Sequence, residues 1–382
     1  MANYDYEIVN GRKIRVRPKE TVSEIDKNGY FRRQPNHFTT PFGDGENDLK
    51  AEGNKRYRLV WAKLCHWSNR AATVRELEGL EDQISVNMVE HAPHEKNLGW
   101  EYVYNENNID PVLGDQFLSE AYYRADDDYQ GRTTVPALID TTTGKVVNND
   151  YNWLTTYFEV NFRPWHKKGA PELCPVELRE EIDKMNLWLF DNINNAVYRS
   201  SFSRSNEGHF DGVNTFYAAM DRLEKRLETN RFIFGDYVTD SDIRLYVTLA
   251  RLDIRYTTQL GETKRPLYTY KNLWGYAKEL WEIPAFAHHT DFAAIIRQGR
   301  IEGEEDGFRA STHYDLALPK IDWDAQWKVS TERAYLSSDP THPIYLGNNR
   351  RFDIDPTWYD LGAESPKKEE KETPPSCGCC CG

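Results

Sequence analysis

The spacing of apolar and polar positions predicts a strand, a helix and a second strand between residues 56 and 90. Residues 57–64 are apolar and rich in β-forming side chains, and residues 84–89 alternate as a half-buried strand does. Between them, residues 68–80 carry apolar side chains at helical spacing and end beside Gly79. This order predicts a βαβ unit, in which the helix connects two parallel strands.

The α/β pattern continues as far as about residue 160. Apolar spacing predicts two strands and two helices, at residues 137–140, 145–147, 116–125 and 151–158. Asn148, Asn149 and Asp150 are expected to cap the second of these helices. The start of a helix can hold a charged end of a ligand, so this cap is a candidate binding element.

From residue 175 onward the pattern becomes helical. Helices are predicted at residues 177–198, 214–229, 268–280 and 284–296. Thr239 and Asp242 form a capping box that opens one more helix, which is apolar nearly all round and should be buried. The predicted fold class is therefore an α/β half followed by an all-α half.

The expected organisation has six parts. They are an N-terminal extension (1–55), an α/β domain (56–160), a linker (161–174), an all-α domain (175–299), a C-terminal extension (300–361) and a disordered cysteine-rich tail (362–382). The extension at 1–55 is polar, but its Tyr30, Phe31, Phe38 and Phe42 need a surface to lie on. A strap over apolar surface is favoured, and a flap near an active site is the alternative.

Composition narrows the classes of partner. A net charge of −13 disfavours nucleic acid and anionic membranes as partners. We see no apolar run long enough to span a membrane and no apolar leader near the start. Of six cysteines, four lie in the last six residues, which leaves only Cys65 and Cys174 in the body of the chain. This usage does not resemble a disulfide framework, so a cytoplasmic, reducing setting is expected.

Cys65 lies where the first strand of the βαβ unit ends and the helix begins. Free N–H groups and the helix dipole favour an anion there, so a thiol at this joint tends to lose its proton and become a nucleophile. A small buried apolar residue is the alternative interpretation. Ser68 stands where a CxxC motif would have its second cysteine, which indicates a monothiol site.

Other candidates have weaker signals. Trp100, in a long polar loop, is expected to form a wall of a substrate cleft or else an aromatic plug. For His66, a solvent-facing or helix-capping position is favoured over a role as a base beside Cys65. For Arg70, a role in the candidate site and a role as a structural ion-pair partner are both open. The tail cysteines could bind a soft metal or act as a thiol reserve, although a closed zinc site is poorly supported; they are Cys377, Cys379, Cys380 and Cys381.

Several spaced segments in this order resemble the glutathionyl-hydroquinone reductases, the Xi class of the Omega-like glutathione transferases. The matching segments are GYFRRQPNHF, RYRLVWAKLCHWSNRAATVRELEGLED, LGWEYV, DPVLGDQFLSEAYYRADDDYQGRTTVPALID, VVNND, NNAVYRSSF, GDYVTDSDIRLYVTLARLDIRY, YKNLWGY and IPAF. The resemblance implies a thioredoxin-like N-terminal domain followed by the all-helical C-terminal domain of glutathione transferases. It also implies a cis Val135-Pro136 peptide facing the nucleophile.

Carried over position by position, the resemblance names the candidate site. In the family's motif Cys-Pro-Trp-Ala-His-Arg, three positions match, at Cys65, Trp67 and Arg70, while His66, Ser68 and Asn69 differ. The family's Asn-Glu-Ser, which holds the γ-glutamyl end of glutathione, becomes Asn149, Asp150 and Tyr151. The implied thiol-side residues are Trp67, Trp100, Arg132, Val135, Pro136, Asp150 and Tyr151, and the implied catalytic residues are Cys65, Tyr198 and Tyr256. A third family tyrosine is lost near Gln298, Gly299 and Arg300.

The implied activity is a thiol-dependent reduction that removes a glutathionyl group from hydroquinone-type thioethers through a mixed disulfide on Cys65. Glutathione would be the co-substrate, with no metal in the core. The implied partners are a small aromatic thioether or quinone and a second copy of the chain in a homodimer. Two alternatives stay open: the same fold using a different low-molecular-weight thiol, and a transferase-like binding protein without catalysis.

Overall fold

The computed structural model describes residues 4–17, 23–92, 98–257, 260–261, 265–301, 322–338 and 351–362. The strands are β1 (Tyr6–Val9), β2 (Arg12–Arg15), β3 (Tyr57–Trp61), β4 (Ile84–Met88), β5 (Glu90–His91), β6 (Trp100–Glu101), β7 (Ala137–Asp140) and β8 (Lys145–Asn148). The helices are α1 (His66–Leu77), α2 (Leu118–Ala125), α3 (Leu154–Val160), α4 (Arg179–Leu189), α5 (Ala196–Phe202), α6 (Asn206–Arg226), α7 (Asp240–Arg251), α8 (Lys271–Trp281), α9 (Pro284–His288), α10 (Phe292–Ile301) and α11 (Trp323–Trp327).

A four-stranded mixed sheet organises the N-terminal half, in the order β4-β3-β7-β8. β3 and β4 are parallel and joined by α1, whereas β7 pairs antiparallel with both β3 and β8. This βαβ unit followed by an antiparallel hairpin is the thioredoxin-like arrangement. The helices α4 to α10 form the second half, so the predicted fold class is confirmed.

Both faces of β3 are buried, which explains its continuous apolar run. Successive strand side chains point to opposite faces, so Leu59 and Trp61 join a large cluster shared with α1 and the helical half. Val60 and Ala62 join a smaller cluster with α2 and Cys65. The central strand therefore connects the core of the whole molecule to the packing around the candidate nucleophile.

The predicted starts of all three helices in the N-terminal half were wrong, and α2 begins at Leu118 instead of residue 116. Helix α1 begins at His66, two residues earlier than predicted, which leaves Cys65 as its N-cap residue. Residues 151–153 form a turn rather than a helix, and α3 begins only at Leu154. The Asp150 carbonyl accepts the N–H groups of Trp153 and Leu154, so the asparagine-rich segment closes a turn and does not cap the helix.

The predicted helix at 177–198 is divided into four pieces. A 3₁₀ turn (Val176–Leu178) precedes α4, and a π-helical turn (Phe190–Asn194) separates α4 from α5. A second π turn, Leu252–Tyr256, follows α7. Such turns insert one residue into the helical repeat, which a search for regular apolar spacing does not detect. The predicted helix at 284–296 is likewise divided, into α9 and α10.

The described parts of the predicted C-terminal extension (300–361) pack on the helical half. Trp327 of α11 is buried against Tyr246 and Phe292. The Asp353 carboxylate pairs with Arg226 at 2.7 Å. The aromatic residues of this extension bury apolar area, which offsets the entropy cost of ordering it. The predicted cysteine-rich tail beyond 362 lies outside the described residues.

Helix α7 is buried along its whole length, as predicted, and begins with the expected capping box. The Asp242 carboxylate accepts the backbone N–H groups of Ile233 (2.9 Å) and Thr239 (2.8 Å) and the hydroxyls of Thr239 (2.9 Å) and Tyr276 (2.8 Å). One side chain thus joins the helix start to the preceding turn and to α8. Within the described ranges, no helix has the length and apolar character needed to cross a bilayer.

Replacing Asp242 by alanine leaves those buried donors without an acceptor. We expect the free energy of unfolding to fall by about 3 kcal/mol, because each unpaired buried donor loses hydration without compensation. Urea denaturation followed by circular dichroism measures the change. The matched control is Glu180→Ala, which removes an exposed carboxylate paired with Lys184 and should leave the midpoint unchanged. Equal midpoints for Asp242→Ala and the wild type would contradict the prediction.

Candidate active site

Cys65 lies between β3 and α1, at the joint that the sequence predicts. The Ser68 hydroxyl accepts a hydrogen bond from the Ala62 N–H at 3.1 Å and so fixes the turn that carries the cysteine. The Cys65 thiol faces the carbonyl oxygen of Val135 at 3.6 Å, and the peptide bond between Val135 and Pro136 is cis. The thiol and the segment leading into β7 therefore lie side by side.

The helical half holds the same turn from the other side. Arg251, in the last turn of α7, donates from Nε to the Leu64 carbonyl and from Nη2 to the Lys63 carbonyl, each at 3.1 Å. Burial lowers the pKa of this arginine. These two hydrogen bonds join the two halves of the molecule immediately before Cys65.

A cavity of about 470 Å³ opens beside Cys65. Seven of the ten predicted site residues line it: Cys65, Trp67, Trp100, Arg132, Val135, Tyr151 and Tyr198. The other three lie one layer out, since Pro136 follows Val135, Asp150 binds the lining residue Asn36, and Tyr256 packs against Tyr198. The predicted residues thus converge on one place in the fold.

Trp100 and Arg132 occupy the wall on the side of β7. The Trp100 indole N–H donates to the Thr133 carbonyl at 3.1 Å, which fixes the ring. The Arg132 guanidinium binds both carboxylate oxygens of Glu24, from Nε at 2.9 Å and from Nη2 at 2.8 Å. The N-terminal extension therefore supplies a carboxylate to the arginine expected on the thiol side.

Asp150 and Tyr151 occupy the opposite end of this side. Burial raises the pKa of Asp150, whose Oδ1 accepts hydrogen bonds from Asn36 Nδ2 (2.9 Å) and from the backbone N–H of Asn152 (3.0 Å). The Tyr151 ring packs against Trp67 with ring centroids 4.7 Å apart. The cavity end expected to take the γ-glutamyl group thus contains a large aromatic ring.

Arg70 has a structural contact here. Its guanidinium donates to the Tyr151 carbonyl at 2.7 Å, and burial lowers its pKa to about 9. It is 1% exposed and does not line the cavity, so it supports the turn that carries Tyr151. This agrees with the structural alternative expected for Arg70, with a backbone carbonyl as the partner instead of a carboxylate.

Tyr198 and Tyr256 form the other end of the site. Tyr198 lies on α5 and Tyr256 in the π turn after α7, and their ring centroids are 6.2 Å apart. A hydrogen bond connects the two hydroxyls. Burial raises the pKa of both phenols, so both remain protonated at neutral pH. The family's third tyrosine position falls in the last turns of α10, whose side chains lie outside the described ones.

The position favoured for His66, facing solvent or capping a helix, was wrong, because α7 and its π turn cover the side chain. The side chain is 1% exposed, and Nδ1 lies 3.2 Å from the Tyr256 hydroxyl and 3.4 Å from the Thr248 hydroxyl. Burial first, and then the charges of Arg251, Arg70 and Arg33, lower the pKa of His66 well below its usual value. The imidazole is therefore neutral at physiological pH.

The N-terminal extension contributes residues that the sequence analysis missed. The Arg33 guanidinium lies 4.6 Å from the ring centroid of Trp67 and 4.4 Å from that of Tyr198, and its Nε donates to Asn195 Oδ1 at 2.9 Å. Arg33 and Asn36 line the cavity. The extension does cover apolar surface, but the favoured interpretation as a strap alone was wrong. Arginine beside aromatic residues in this segment was the available signal.

The second body cysteine lies apart from this site. Cys174 is buried in the large hydrophobic cluster, and burial raises the pKa of its thiol. Cys65 belongs to the smaller cluster and lines the cavity. Only one of these two thiols therefore adjoins a space for a substrate.

Known proteins resemble this chain in both sequence and fold. The model of the glutathione S-transferase C-terminal domain matches residues 197–279. An omega-like glutathione S-transferase of Schizosaccharomyces pombe is 33% identical over 279 residues, covering 70% of this chain and 88% of the relative. A glutathionyl-hydroquinone reductase of Escherichia coli is 32% identical over 240 residues, covering 63% of this chain and 73% of the relative.

Solved structures agree. The glutathione-bound structure of a glutathione transferase homologue from Escherichia coli superposes with a TM-score of 0.64 at 29% identity, covering 78% of this chain and 96% of that one. The Xi glutathione transferase of Phanerochaete chrysosporium gives a TM-score of 0.64 at 32% identity, covering 71% and 87%. With these identities and coverages, the chain belongs to the glutathionyl-hydroquinone reductase (Xi-class) family of glutathione transferases and is an enzyme of the glutathione-transferase-like oxidoreductase type.

Proposed function

We propose that this enzyme reductively removes a glutathionyl group from hydroquinone-type thioethers. In the first step the Cys65 thiolate attacks the thioether sulfur. A sulfur–sulfur bond forms, the carbon–sulfur bond breaks, and its electron pair passes to the aromatic group, which takes up one proton and leaves as the hydroquinone. A second glutathione then attacks the mixed disulfide, so that glutathione disulfide leaves and Cys65 is restored.

The observation that carries the proposal is the access of Cys65 to an aromatic-lined cavity. The cysteine is the N-cap residue of a twelve-residue helix, and the N-terminal end of a helix dipole favours negative charge beside it. Trp67, Tyr151 and Tyr198 line the cavity around it and offer flat apolar surface to an aromatic substrate. The proposed catalytic role of Cys65 rests on this combination.

Tyr198 is the proposed proton donor to the oxygen of the departing aromatic group, and Tyr256 is proposed to assist it from the layer behind. In the keto tautomer of the hydroquinone, the carbon that bears the sulfur is tetrahedral, so the electron pair of the breaking carbon–sulfur bond passes to the ring oxygen. A hydroxyl that donates to this oxygen stabilises the negative charge. The raised pKa values of both tyrosines keep their hydroxyls protonated, as donation requires. Tyr198 lines the cavity and would contact the substrate, whereas Tyr256 would support it from behind.

The charged side chains around the cavity favour a thiol compound that carries negatively charged groups. Arg33, Arg132 and Arg204 line it, against the single carboxylate of Glu24. Glutathione carries two carboxylates, which arginine binds well because its planar fork matches their geometry. We propose as thiol-side residues those that the family resemblance implies, which are Trp67, Trp100, Arg132, Val135, Pro136, Asp150 and Tyr151. The homodimer, the cytoplasmic setting and the domain limits given above stay predictions.

The Cys65→Ser variant tests the mechanism. Incubated with a glutathionyl-hydroquinone, the wild type should gain one glutathione-sized adduct and release free hydroquinone, both measurable by intact-protein mass spectrometry and chromatography. Cys65→Ser should form no adduct, because a hydroxyl is a far weaker nucleophile than a thiolate towards sulfur. Cys174→Ala is the matched control and should behave as the wild type.

Two results would contradict this proposal. Full turnover by Cys65→Ser would exclude Cys65 as the nucleophile. A wild type that forms no adduct, alongside an active relative, would favour another thiol or a binding role without catalysis.

A second candidate is the same reaction with a thiol that lacks the γ-glutamyl group. The observation that favours it is the pair Asp150 and Tyr151. The Asp150 carboxylate is already bound by Asn36, and the Tyr151 ring fills space beside Trp67 where the family's motif has a serine. A shorter thiol would not need this end of the cavity.

The second candidate predicts that Tyr151→Ser tightens glutathione binding about tenfold, since removing the ring opens the space for the γ-glutamyl group. Isothermal titration calorimetry in the Cys65→Ser background measures the affinity without adduct chemistry. Tyr151→Phe is the matched control, because it keeps the ring and should leave the affinity unchanged. Equal affinities for serine and tyrosine at this position would exclude the second candidate.

A further inference from the structure

His66 is buried between the nucleophile turn and the helical half. Its ring centroid lies 4.2 Å from that of Trp67 and 5.2 Å from that of Tyr198, both of which line the cavity. Its own ring nitrogens face inward, with Nδ1 3.2 Å from the Tyr256 hydroxyl. The proposed mechanism assigns no task to this histidine, although it is adjacent to Cys65.

A hydrogen-bond chain runs from His66 to the cavity. Nδ1 meets the Tyr256 hydroxyl, which is hydrogen-bonded to the hydroxyl of Tyr198. Tyr198 is the member of the chain that lines the cavity. The Thr248 hydroxyl, at a longer 3.4 Å from Nδ1, accepts a hydrogen bond from Asn194 at 2.8 Å.

Because the His66 imidazole is neutral, it is possible to assign which group donates in each of these hydrogen bonds. Nε2 is buried and has no hydrogen-bond partner among the described residues. A neutral histidine carries one N–H, and an unpaired buried N–H is rarer than an unpaired lone pair. The proton therefore belongs on Nδ1, which donates to Tyr256. Tyr256 then donates to Tyr198, and the Tyr198 proton is left free to point into the cavity.

We propose that His66 is a positioning residue that acts through Tyr256 to aim the Tyr198 hydroxyl proton at the aromatic oxygen of the substrate. This rests on the proposed function, in which Tyr198 donates to that oxygen. His66 itself neither gains nor loses a proton. When Tyr198 donates, the two hydrogen bonds behind it stabilise the charge that its oxygen acquires, because bonds in such a chain polarise one another.

Two reactions of Cys65 should respond differently to the loss of His66. Cleavage of a glutathionyl-hydroquinone needs a donor to the aromatic oxygen, so it depends on the chain. Exchange with glutathione disulfide does not, because its leaving group is a thiolate. A residue that orients Tyr198 affects only the first reaction, whereas a residue that merely packs against Cys65 affects both.

The experiment measures the rate of Cys65 adduct formation from both compounds in full-length His66→Leu, His66→Asn, Tyr256→Phe and the double variant His66→Leu/Tyr256→Phe. We expect His66→Leu to slow thioether cleavage about tenfold and to change disulfide exchange less than about twofold. His66→Asn should recover most of the loss, because its amide nitrogen takes the place of Nδ1. In the Tyr256→Phe background, His66→Leu should cause no further loss.

The matched control is Tyr246→Phe. It removes the hydroxyl of a buried tyrosine on α7, which is hydrogen-bonded to the Thr290 hydroxyl at 2.8 Å. It should alter neither rate. Equal slowing of both reactions by His66→Leu would overturn the proposal in favour of a packing role. Wild-type cleavage by His66→Leu, or an undiminished loss in the Tyr256→Phe background, would overturn it too. A wild type that exchanges with the disulfide but never cleaves the thioether would instead refute the proposed function, and this inference with it.

Discussion

The contact of Arg251 with the turn before Cys65 is the interaction on which the site depends. One guanidinium from the helical half binds the carbonyls of Lys63 and Leu64, so the position of Cys65, the proposed nucleophile, is set by both halves together. Burying a guanidinium costs several kcal/mol unless its donors are paired. Here a third bond, to the Val247 carbonyl at 2.8 Å, adds to that pairing. The packing of α1 against α7 therefore also fixes the geometry around Cys65.

The cavity is assembled from three separate parts of the chain. The α/β half supplies Cys65 and the wall of β7, the helical half supplies Tyr198, and the N-terminal extension supplies Glu24 and Arg33. The Arg33 guanidinium contacts the rings of both Trp67 and Tyr198, and each such contact contributes on the order of 1 kcal/mol. The extension is thereby coupled to the place where substrate would bind.

The two ends of the cavity differ in chemistry. Arg132 and the Asp150 turn lie at the proposed thiol end, while Tyr198, with Arg33 against its ring, lies at the proposed acceptor end. Burial keeps Tyr198 and Tyr256 protonated and His66 uncharged, so these three side chains act there as fixed dipoles. Such an arrangement suits a reaction in which charge develops transiently on an aromatic oxygen.

Through its resemblance to a known family, the sequence named seven of the residues that line the cavity. The sequence by itself also determined the fold class, the strand-to-helix joint at Cys65 and the capping box of α7. These features are local, since each depends on spacing, caps or a short motif within a few residues. The sequence did not determine the π turns that position Tyr198 and Tyr256, because regular spacing hides an inserted residue.

Tertiary structure alone decided the burial of His66, the Arg33 contacts and the pairing of Glu24 with Arg132. Those pairs join residues 190, 162 and 108 positions apart, measured from His66 to Tyr256, Arg33 to Asn195 and Glu24 to Arg132. A local sequence pattern contains no information on contacts between residues this far apart along the chain. Only packing of the two halves and the extension against one another brings these side chains together.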